Sequence, residues 1–250
     1  MQAIISDIHS NLEAFSAMLD DIQRRGVTEI ICLGDVIGYG PNPRECLDRA
    51  REFRLCLLGN HEEAVLFEAQ AQGFNPRATT AVRWTAKQFD MLGDFRRENA
   101  PRWDFMGVMP RFYAGNGVLL VHGSPTDPTR EYIYTTDVRN PNKMERLFSQ
   151  IEHLCFVGHT HVPGIWTDDM TYRSPDELGY QYRITPRKTI VNVGSIGQPR
   201  DNDPRACYVL FDGSLIQFVK LPYDLDTTVK KIYAIDGLDR SLGDRLREGR

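Results

Sequence analysis

This sequence has no long hydrophobic run, no paired-cysteine motif, no internal repeat and no strong excess of either charge. Without an apolar stretch near the length a bilayer demands, a membrane-spanning helix is excluded. The first apolar run begins within three residues of Met1, with no charged leader or cleavage site ahead of it. That start predicts no secretory signal and a cytoplasmic protein. Five cysteines, at 32, 46, 56, 155 and 207, form no Cys-x-x-Cys pair. Their odd count, with the apolar settings of Cys32, Cys56 and Cys155, predicts buried thiols in a reducing compartment. A net charge of −4 argues against wholesale nucleic-acid binding, though not against a local basic groove. No linker or low-complexity segment interrupts the 250 residues, and 41% of them are hydrophobic, enough for a sizeable core. Residues 1–250 are therefore read as one domain.

What the sequence does have is a repeated ending. Six short apolar runs each stop at a polar residue able to bind a metal or a phosphate. Ala3 to Ser6 leads into Asp7-Ile8-His9, and Glu29 to Leu33 into Gly34-Asp35. Arg54 to Leu58 leads into Gly59-Asn60-His61, and Val118 to Val121 into His122. Leu154 to Val157 leads into Gly158-His159-Thr160-His161, and Thr189 to Val193 into Gly194-Ser195. Strands of one sheet that end at one edge bring their terminal side chains to one place, where open α/β sheets build their sites.

Between these runs the pattern alternates. Leu12, Phe15, Met18, Leu19 and Ile22 recur at helical spacing with Gly26 as a stop, and Cys46, Leu47 and Ala50 mark a short helix. Val36 to Pro43 is too rich in Gly and Pro for regular structure and reads as a shaped loop beside the site. Apolar strands alternating with helices indicate strands buried on both faces and joined by right-handed crossovers. From Glu62 to Gly117 no strand is predicted. Helices are predicted over 62–72 and 77–89, and residues 62–117 are read as a helical lid inserted over the cleft. Between Arg77 and Arg111 seven basic residues (77, 83, 87, 96, 97, 102, 111) face four acidic ones (90, 94, 98, 104), either a solvated helix face or a groove for an anionic substrate. The second half is read mostly as sheet. A helix is expected over 140–151, a hairpin around Asp212-Gly213, and one or two tail helices from Asp224 onward packed outside the sheet.

Taken singly, each polar ending is weak. Asp7-x-His9 reads as an ordinary strand end, Asn60 as a turn residue and His122 as a satisfied core histidine. His159-x-His161 is stronger, since residues two apart on a strand point the same way. Their coincidence at predicted strand ends points to metal. His153 has no such setting and reads as a surface or helix-end residue. Imidazole with carboxylate suits Mn, Fe, Zn, Co or Ni, whereas an all-oxygen set would suggest Mg or Ca. Seven candidate ligands, Asp7, His9, Asp35, Asn60, His122, His159 and His161, are too many for one tetrahedral zinc. Two divalent ions sharing a bridging carboxylate use them all.

Asp7-x-His9, Gly34-Asp35, Gly59-Asn60-His61, His122-Gly123 and Gly158-His159-x-His161, in this order, resemble the calcineurin-like metallophosphoesterase superfamily. Asp7-Ile8-His9-Ser10-Asn11, Gly38-Tyr39-Gly40-Pro41, Gly123-Ser124-Pro125 and Asn192-x-Gly194-Ser195-x-Gly197-Gln198-Pro199-Arg200 resemble its small bacterial and archaeal branch. The resemblance implies a four-layer α/β/β/α sandwich of two mixed β-sheets flanked by helices. It implies that Asp7, His9 and His161 hold the first metal, Asn60, His122 and His159 the second, and that Asp35 bridges, with manganese favoured. His61 would assist the leaving group.

Two divalent ions attract phosphate and lower the pKa of a bridging water, so the expected chemistry is attack of a metal-bridging hydroxide on phosphorus. No serine or cysteine nucleophile is required. Arg200, whose forked donors match phosphate geometry, is a candidate substrate ligand, as are Asn11 and Tyr39 in loops beside the metal ligands. Substrates are expected among small phosphate esters and nucleotides, with phosphodiesters slightly favoured over monoesters. A nuclease of the same superfamily is the alternative, and a non-catalytic scaffold with the same fold a weaker one. Neither the oligomeric state nor the physiological substrate is written in the sequence.

Overall fold

The computed structural model describes residues 1–71, 73–92 and 95–250. Two six-stranded sheets face each other. The first contains β1 (Gln2–Ile5), β2 (Glu29–Cys32), β3 (Leu55–Cys56), β9 (Gln181–Arg183), β11 (Ala206–Phe211) and β12 (Leu215–Leu221), in the order β3-β2-β1-β11-β12-β9. The second contains β4 (Phe112–Gly115), β5 (Val118–Val121), β6 (Leu154–Val157), β7 (Gly164–Thr167), β8 (Thr171–Arg173) and β10 (Thr189–Asn192), in the order β4-β5-β6-β10-β7-β8. Each sheet keeps three parallel strands together, β3-β2-β1 in one and β5-β6-β10 in the other, with antiparallel strands outside them.

Period-two alternation explains the layering. In β1, Ile4 points into the core between the sheets while Ala3 and Ile5 face helices α1 (Leu12–Arg24) and α2 (Pro43–Ala50). In β6, Leu154 and Phe156 face inward while Cys155 and Val157 pack on α6 (Pro141–Ser149) through Met144, Leu147 and Phe148. Strands buried on both faces need apolar residues at every position, which is why these runs are continuous. Helix, sheet, sheet and helix give the four layers. All five cysteines are buried and unpaired.

The segment 62–117 differs from expectation in two places. Phe112–Gly115 is a strand, β4, paired antiparallel with β5 through Asn116-Gly117, both at positive φ (+52° and +75°). An Asn-Gly hairpin turn is a strong local signal, but exposed Phe112 and Tyr113 hid it. Helix α5 (Arg96–Val108) was also unforeseen. It carries Pro101 inside it and buries only Asn99 and Met106, so it has no apolar stripe to read. Helix α3 spans Asn60–Leu66, followed by a 3-10 turn over Glu68–Ala71, and α4 spans Pro76–Gln88. The predicted end of the first helix at Gln72, and Asp94 among the charges counted there, lie outside the described residues.

The hairpin at Asp212-Gly213 joins β11 to β12 as expected. The tail forms α7 (Leu225–Tyr233) and α8 (Ser241–Glu248), but they do not lie on the sheet. They pack on α4 through Ala81 and Trp84, and against Tyr39. Thr228 on α7 donates to Asn11 Oδ1 at 3.0 Å. Asn11 also caps α1, accepting the Ala14 N–H at 3.1 Å, and its amide donates to the Gly197 carbonyl at 2.9 Å. One side chain thus ties helix α1, the 194–200 loop and the tail together. Asn11→Ala is expected to lower unfolding stability by about 1–2 kcal/mol from the lost cap alone, read from urea denaturation of the metal-free chain; an unchanged midpoint would refute this role.

Candidate metal centre

Six of the seven predicted ligands stand in loops after strands, Asn60 opens helix α3, and these segments meet where the parallel strands of both sheets end. The structure brings all seven together. His9 Nε2 lies 3.1 Å from His161 Nε2, and these two lie 3.6 and 3.1 Å from Asp7 Oδ1. His122 Nε2 lies 3.0 Å from Asn60 Oδ1, 3.1 Å from His159 Nδ1 and 3.3 Å from Asp35 Oδ2. The same Asp35 oxygen is 3.7 Å from His9 Nε2, so it faces both groups. The ligand atoms of Asp7, His9 and His161, and those of Asp35, His122 and His159, each fall within 4.8 Å of one another. His153 is elsewhere, its Nε2 2.7 Å from the Thr185 carbonyl.

Three backbone carbonyls decide what these nitrogens can do. The Ile37 carbonyl takes the Nδ1 proton of His9 at 3.1 Å, and the Gln198 carbonyl that of His161 at 2.5 Å. The Arg130 carbonyl takes the Nε2 proton of His159 at 3.0 Å. A neutral imidazole with one nitrogen donating has only a lone pair on the other. In the neutral rings His9 Nε2 and His161 Nε2, with Asp7 Oδ1, therefore aim lone pairs at a common point. Asp7 Oδ1 is buried without a hydrogen-bond donor. His159 Nδ1 likewise aims its lone pair inward, toward His122 Nε2 3.1 Å away, which donates while His122 is charged and offers a lone pair once it loses that proton. Converging acceptors repel unless a cation lies among them, so the residues present fit divalent ions of borderline hardness.

The backbone is bent to achieve this. Asp7, His9, Asp35, His159 and His161, five of the seven, have φ between +46° and +65°. Non-glycine residues in this region carry strain of order 1–3 kcal/mol each, and such strain gathers at functional sites. The loops hold one another: Asp7 N–H donates to the Gly34 carbonyl at 3.0 Å, His9 N–H to that of Asp35 at 2.9 Å, and Gly197 N–H to that of Asp7 at 2.9 Å. Gly158 must be glycine, since a Cβ there would stand 2.5 Å from Asp7 Oδ2.

Burial alone would discharge these groups. It would push the Asp7 and Asp35 carboxyls up, but the surrounding imidazoles, His161 for Asp7 and His122 for Asp35, hold both well below the usual carboxylate range. Burial would lower His122, yet the Asp35 carboxylate, with Asp7 and Glu62, raises it to about 9. Burial lowers His159 and His161 to about 3, and His61 well below its usual value. His159 and His161 are thus ready to ligate, whereas His122 must first lose a proton.

Two of the three candidate substrate residues line the cleft. The Tyr39 ring is 4.7 Å from that of His9 and 4.5 Å from that of His61, and the Arg200 guanidinium lies 5.9 Å over Tyr39. Arg200 Nη2 donates to Gln198 Oε1 at 2.7 Å, while its Nε is buried without a partner. Asn11 is buried beneath the cleft with its amide committed to protein partners. His61 N–H donates to Asp35 Oδ1 at 2.9 Å; its ring packs on His9 and on Phe74, centroids 4.8 and 5.0 Å away.

A family model described as the calcineurin-like phosphoesterase superfamily domain matches residues 1–214. The chain belongs to this superfamily. A metallophosphoesterase from Sphaerobacter thermophilus, known from its crystal structure, is 35% identical, with a TM-score of 0.83 over 100% of this chain and 98% of that one. A Methanocaldococcus jannaschii protein is 35% identical over 255 residues, covering 100% of this chain and 98% of the relative. A Pyrococcus horikoshii OT3 protein shares the fold at 16% identity, with a TM-score of 0.74 over 100% and 99% of the two chains. This phosphoesterase is thus a phosphoric ester hydrolase of a superfamily that uses divalent metals. Among its described residues no helix is long and apolar enough to cross a membrane.

Sequence reasoning missed several supports of this metallophosphoesterase site. Glu62 accepts the N–H groups of Asp35 at 2.9 Å and of Ile37 and Gly59 at 3.0 Å, so it ties the Asp35 loop to the start of helix α3, where Asn60 stands. Burial and the Asp35 charge push its carboxyl up to about 7, against backbone donors that favour the charged form. Its signal was available: a glutamate at the third position of a helix that starts after Gly59 is half a capping box. Tyr132 stacks on His159 at 3.8 Å, and no periodicity reveals a residue in so irregular a loop. Because His122 stays protonated up to about pH 9 in the metal-free chain, metal uptake at pH 7 is expected to release about one proton from it. Calorimetric titration with manganese in two buffers of different ionisation enthalpy measures this. Identical heats in both buffers would contradict it.

Proposed function

We propose that this phosphoesterase works with two divalent ions. Asp7, His9 and His161 would hold one, Asn60, His122 and His159 the other, and Asp35 would serve both. The observation that carries this reading is the position of Asp35 Oδ2, 3.7 Å from His9 Nε2 and 3.3 Å from His122 Nε2. Manganese leads Fe, Zn, Co and Ni for this mixed imidazole and carboxylate set. Ions bound there would draw charge from the phosphoryl oxygens and lower the pKa of a water toward neutrality. The substrates are small phosphate esters or nucleotides, phosphodiesters slightly ahead of monoesters, and the reaction belongs in the cytoplasm.

The remaining roles fall to groups around the cleft. His61 protonates the leaving oxygen. Burial keeps its resting ring neutral, and the negative charge of a bound phosphate ester restores its affinity for a proton. Arg200, with its unpaired Nε, grips a phosphate oxygen. Tyr39 shapes the wall beside His9 and His61, and Asn11 contributes by holding the 194–200 loop in place. Residues 62–117 act as a lid within one domain of 1–250, and the packing of Phe74 on His61 favours this. A nuclease channel draws less support: Arg102 is paired with Asp48 at 2.6 Å and Arg111 with Glu63, which removes two of the seven basic residues.

A general acid contributes about 10²–10⁴-fold when the leaving group needs a proton. His61→Ala is expected to lower kcat by about that factor on an alkyl phosphate ester and by less than about tenfold on a nitrophenyl ester. Steady-state kinetics on manganese-loaded protein decide. Equal losses on the two substrates would reduce His61 to an orienting residue.

A further inference from the structure

We propose that a side pocket next to the metal centre binds the organic part of the ester, and that it takes a flat aromatic group bearing hydrogen-bond donors, the size of a nucleoside. This rests on the function proposed above and deepens it.

The pocket has a volume of about 400 Å³, within the range of small-molecule sites, roughly 300–1,000 Å³. It begins at Arg200 and at Thr160, the residue between the ligands His159 and His161. Arg200 joins the two spaces. Its N–H donates to the His161 carbonyl at 3.2 Å, its guanidinium covers Tyr39, and it lines the pocket. A phosphate held at the metal centre would therefore direct its ester group toward this opening.

The lining indicates what enters. Tyr134 forms part of the wall and is 53% exposed. It stacks nearly parallel on Tyr132 (5.5 Å, 8°), which stacks on His159 (3.8 Å, 22°). This ladder fixes the pocket wall relative to a metal ligand. Val162, Pro163 and Pro175 add apolar surface. Asp201 supplies the polar contact. Lys220 holds its Oδ2, while Oδ1 is buried with no partner. A ligand N–H or O–H that moves aside what covers this oxygen would give it a partner.

Other chemistries fit less well. A plain alkyl group would leave Asp201 Oδ1 unpaired, and a second phosphate would meet Asp176 and Asp201 in the lining. A sugar phosphate without a base would leave Tyr134 and the prolines uncovered. A nucleoside supplies both the flat ring and the donors.

The test compares the four ribonucleoside 5′-monophosphates with ribose 5-phosphate as competitive inhibitors of bis(p-nitrophenyl) phosphate hydrolysis by the manganese-loaded enzyme. At least one nucleotide is expected to bind about tenfold or more tighter than ribose 5-phosphate, the scale of a single base-on-aromatic stack. Tyr134→Ala is expected to bring that ratio near one, and Tyr134→Phe to restore it. Nucleotides no tighter than ribose 5-phosphate, or a ratio unmoved by Tyr134→Ala, would overturn the proposal. Saturation-transfer NMR of the four nucleosides with the full chain and no added metal needs no turnover. Transfer to a base in the wild type and not in Tyr134→Ala supports the pocket even if hydrolysis is absent, in which case only the functional reading fails. No transfer to any base in the wild type overturns the pocket.

Discussion

At 3.1 Å, the Nε2 atoms of His9 and His161 face each other, and because carbonyls of Ile37 and Gln198 take the Nδ1 protons, the neutral rings offer only lone pairs there. The Asp7 carboxylate joins them at 3.1–3.6 Å. On the other side His159 is turned the same way by the Arg130 carbonyl. A folded protein does not hold acceptors against acceptors in a buried site without a reason, since each forgoes the solvation it has in water. The arrangement is a charge distribution complementary to cations. The strained loops and the buried carboxylates follow from maintaining it.

Much of the fold is arranged around that constraint. Parallel strands from two sheets supply the loops, and left-handed turns at Asp7, His9, Asp35, His159 and His161 redirect the side chains inward. Glu62 bridges the Asp35 loop and the start of helix α3, which carries Asn60. Ser195 donates to the Asp7 carbonyl at 2.9 Å, and Asn192 to the Gly158 carbonyl at 2.6 Å, which links the last strand of the motif to both halves of the centre. The helices α7 and α8, which lie beyond the span of the family model, close on Tyr39 and Asn11. The tail therefore reaches the loops of the centre without contributing a ligand.

The doubly buried strands and the convergence of the seven side chains were legible because they depend on side-chain type at fixed period, apolar strands followed at once by His, Asp or Asn, whereas the two-sheet sandwich was legible only through the family resemblance those motifs carry. What escaped the sequence depends on other quantities. The tautomers at the centre are set by carbonyls of Ile37, Gln198 and Arg130, and a carbonyl is the same on every residue. Strand β4 was missed because Phe112 and Tyr113 remain exposed, so burial did not impress an alternation there. Helix α5 was missed because Pro101 argues locally against a helix that tertiary packing nevertheless retains. Asn11, legible as a loop residue beside a ligand, proved to be committed to a helix cap and to the tail, contacts that no local pattern announces.

The central claim is that this set of lone pairs holds two cations that share Asp35. Anomalous diffraction at the manganese edge, from a crystal grown with manganese, tests it most directly. Two peaks about 3.5–4 Å apart, one among Asp7, His9 and His161, the other among Asn60, His122 and His159, with Asp35 Oδ2 between them, is the predicted result. A single peak, or peaks away from these side chains, would contradict the account.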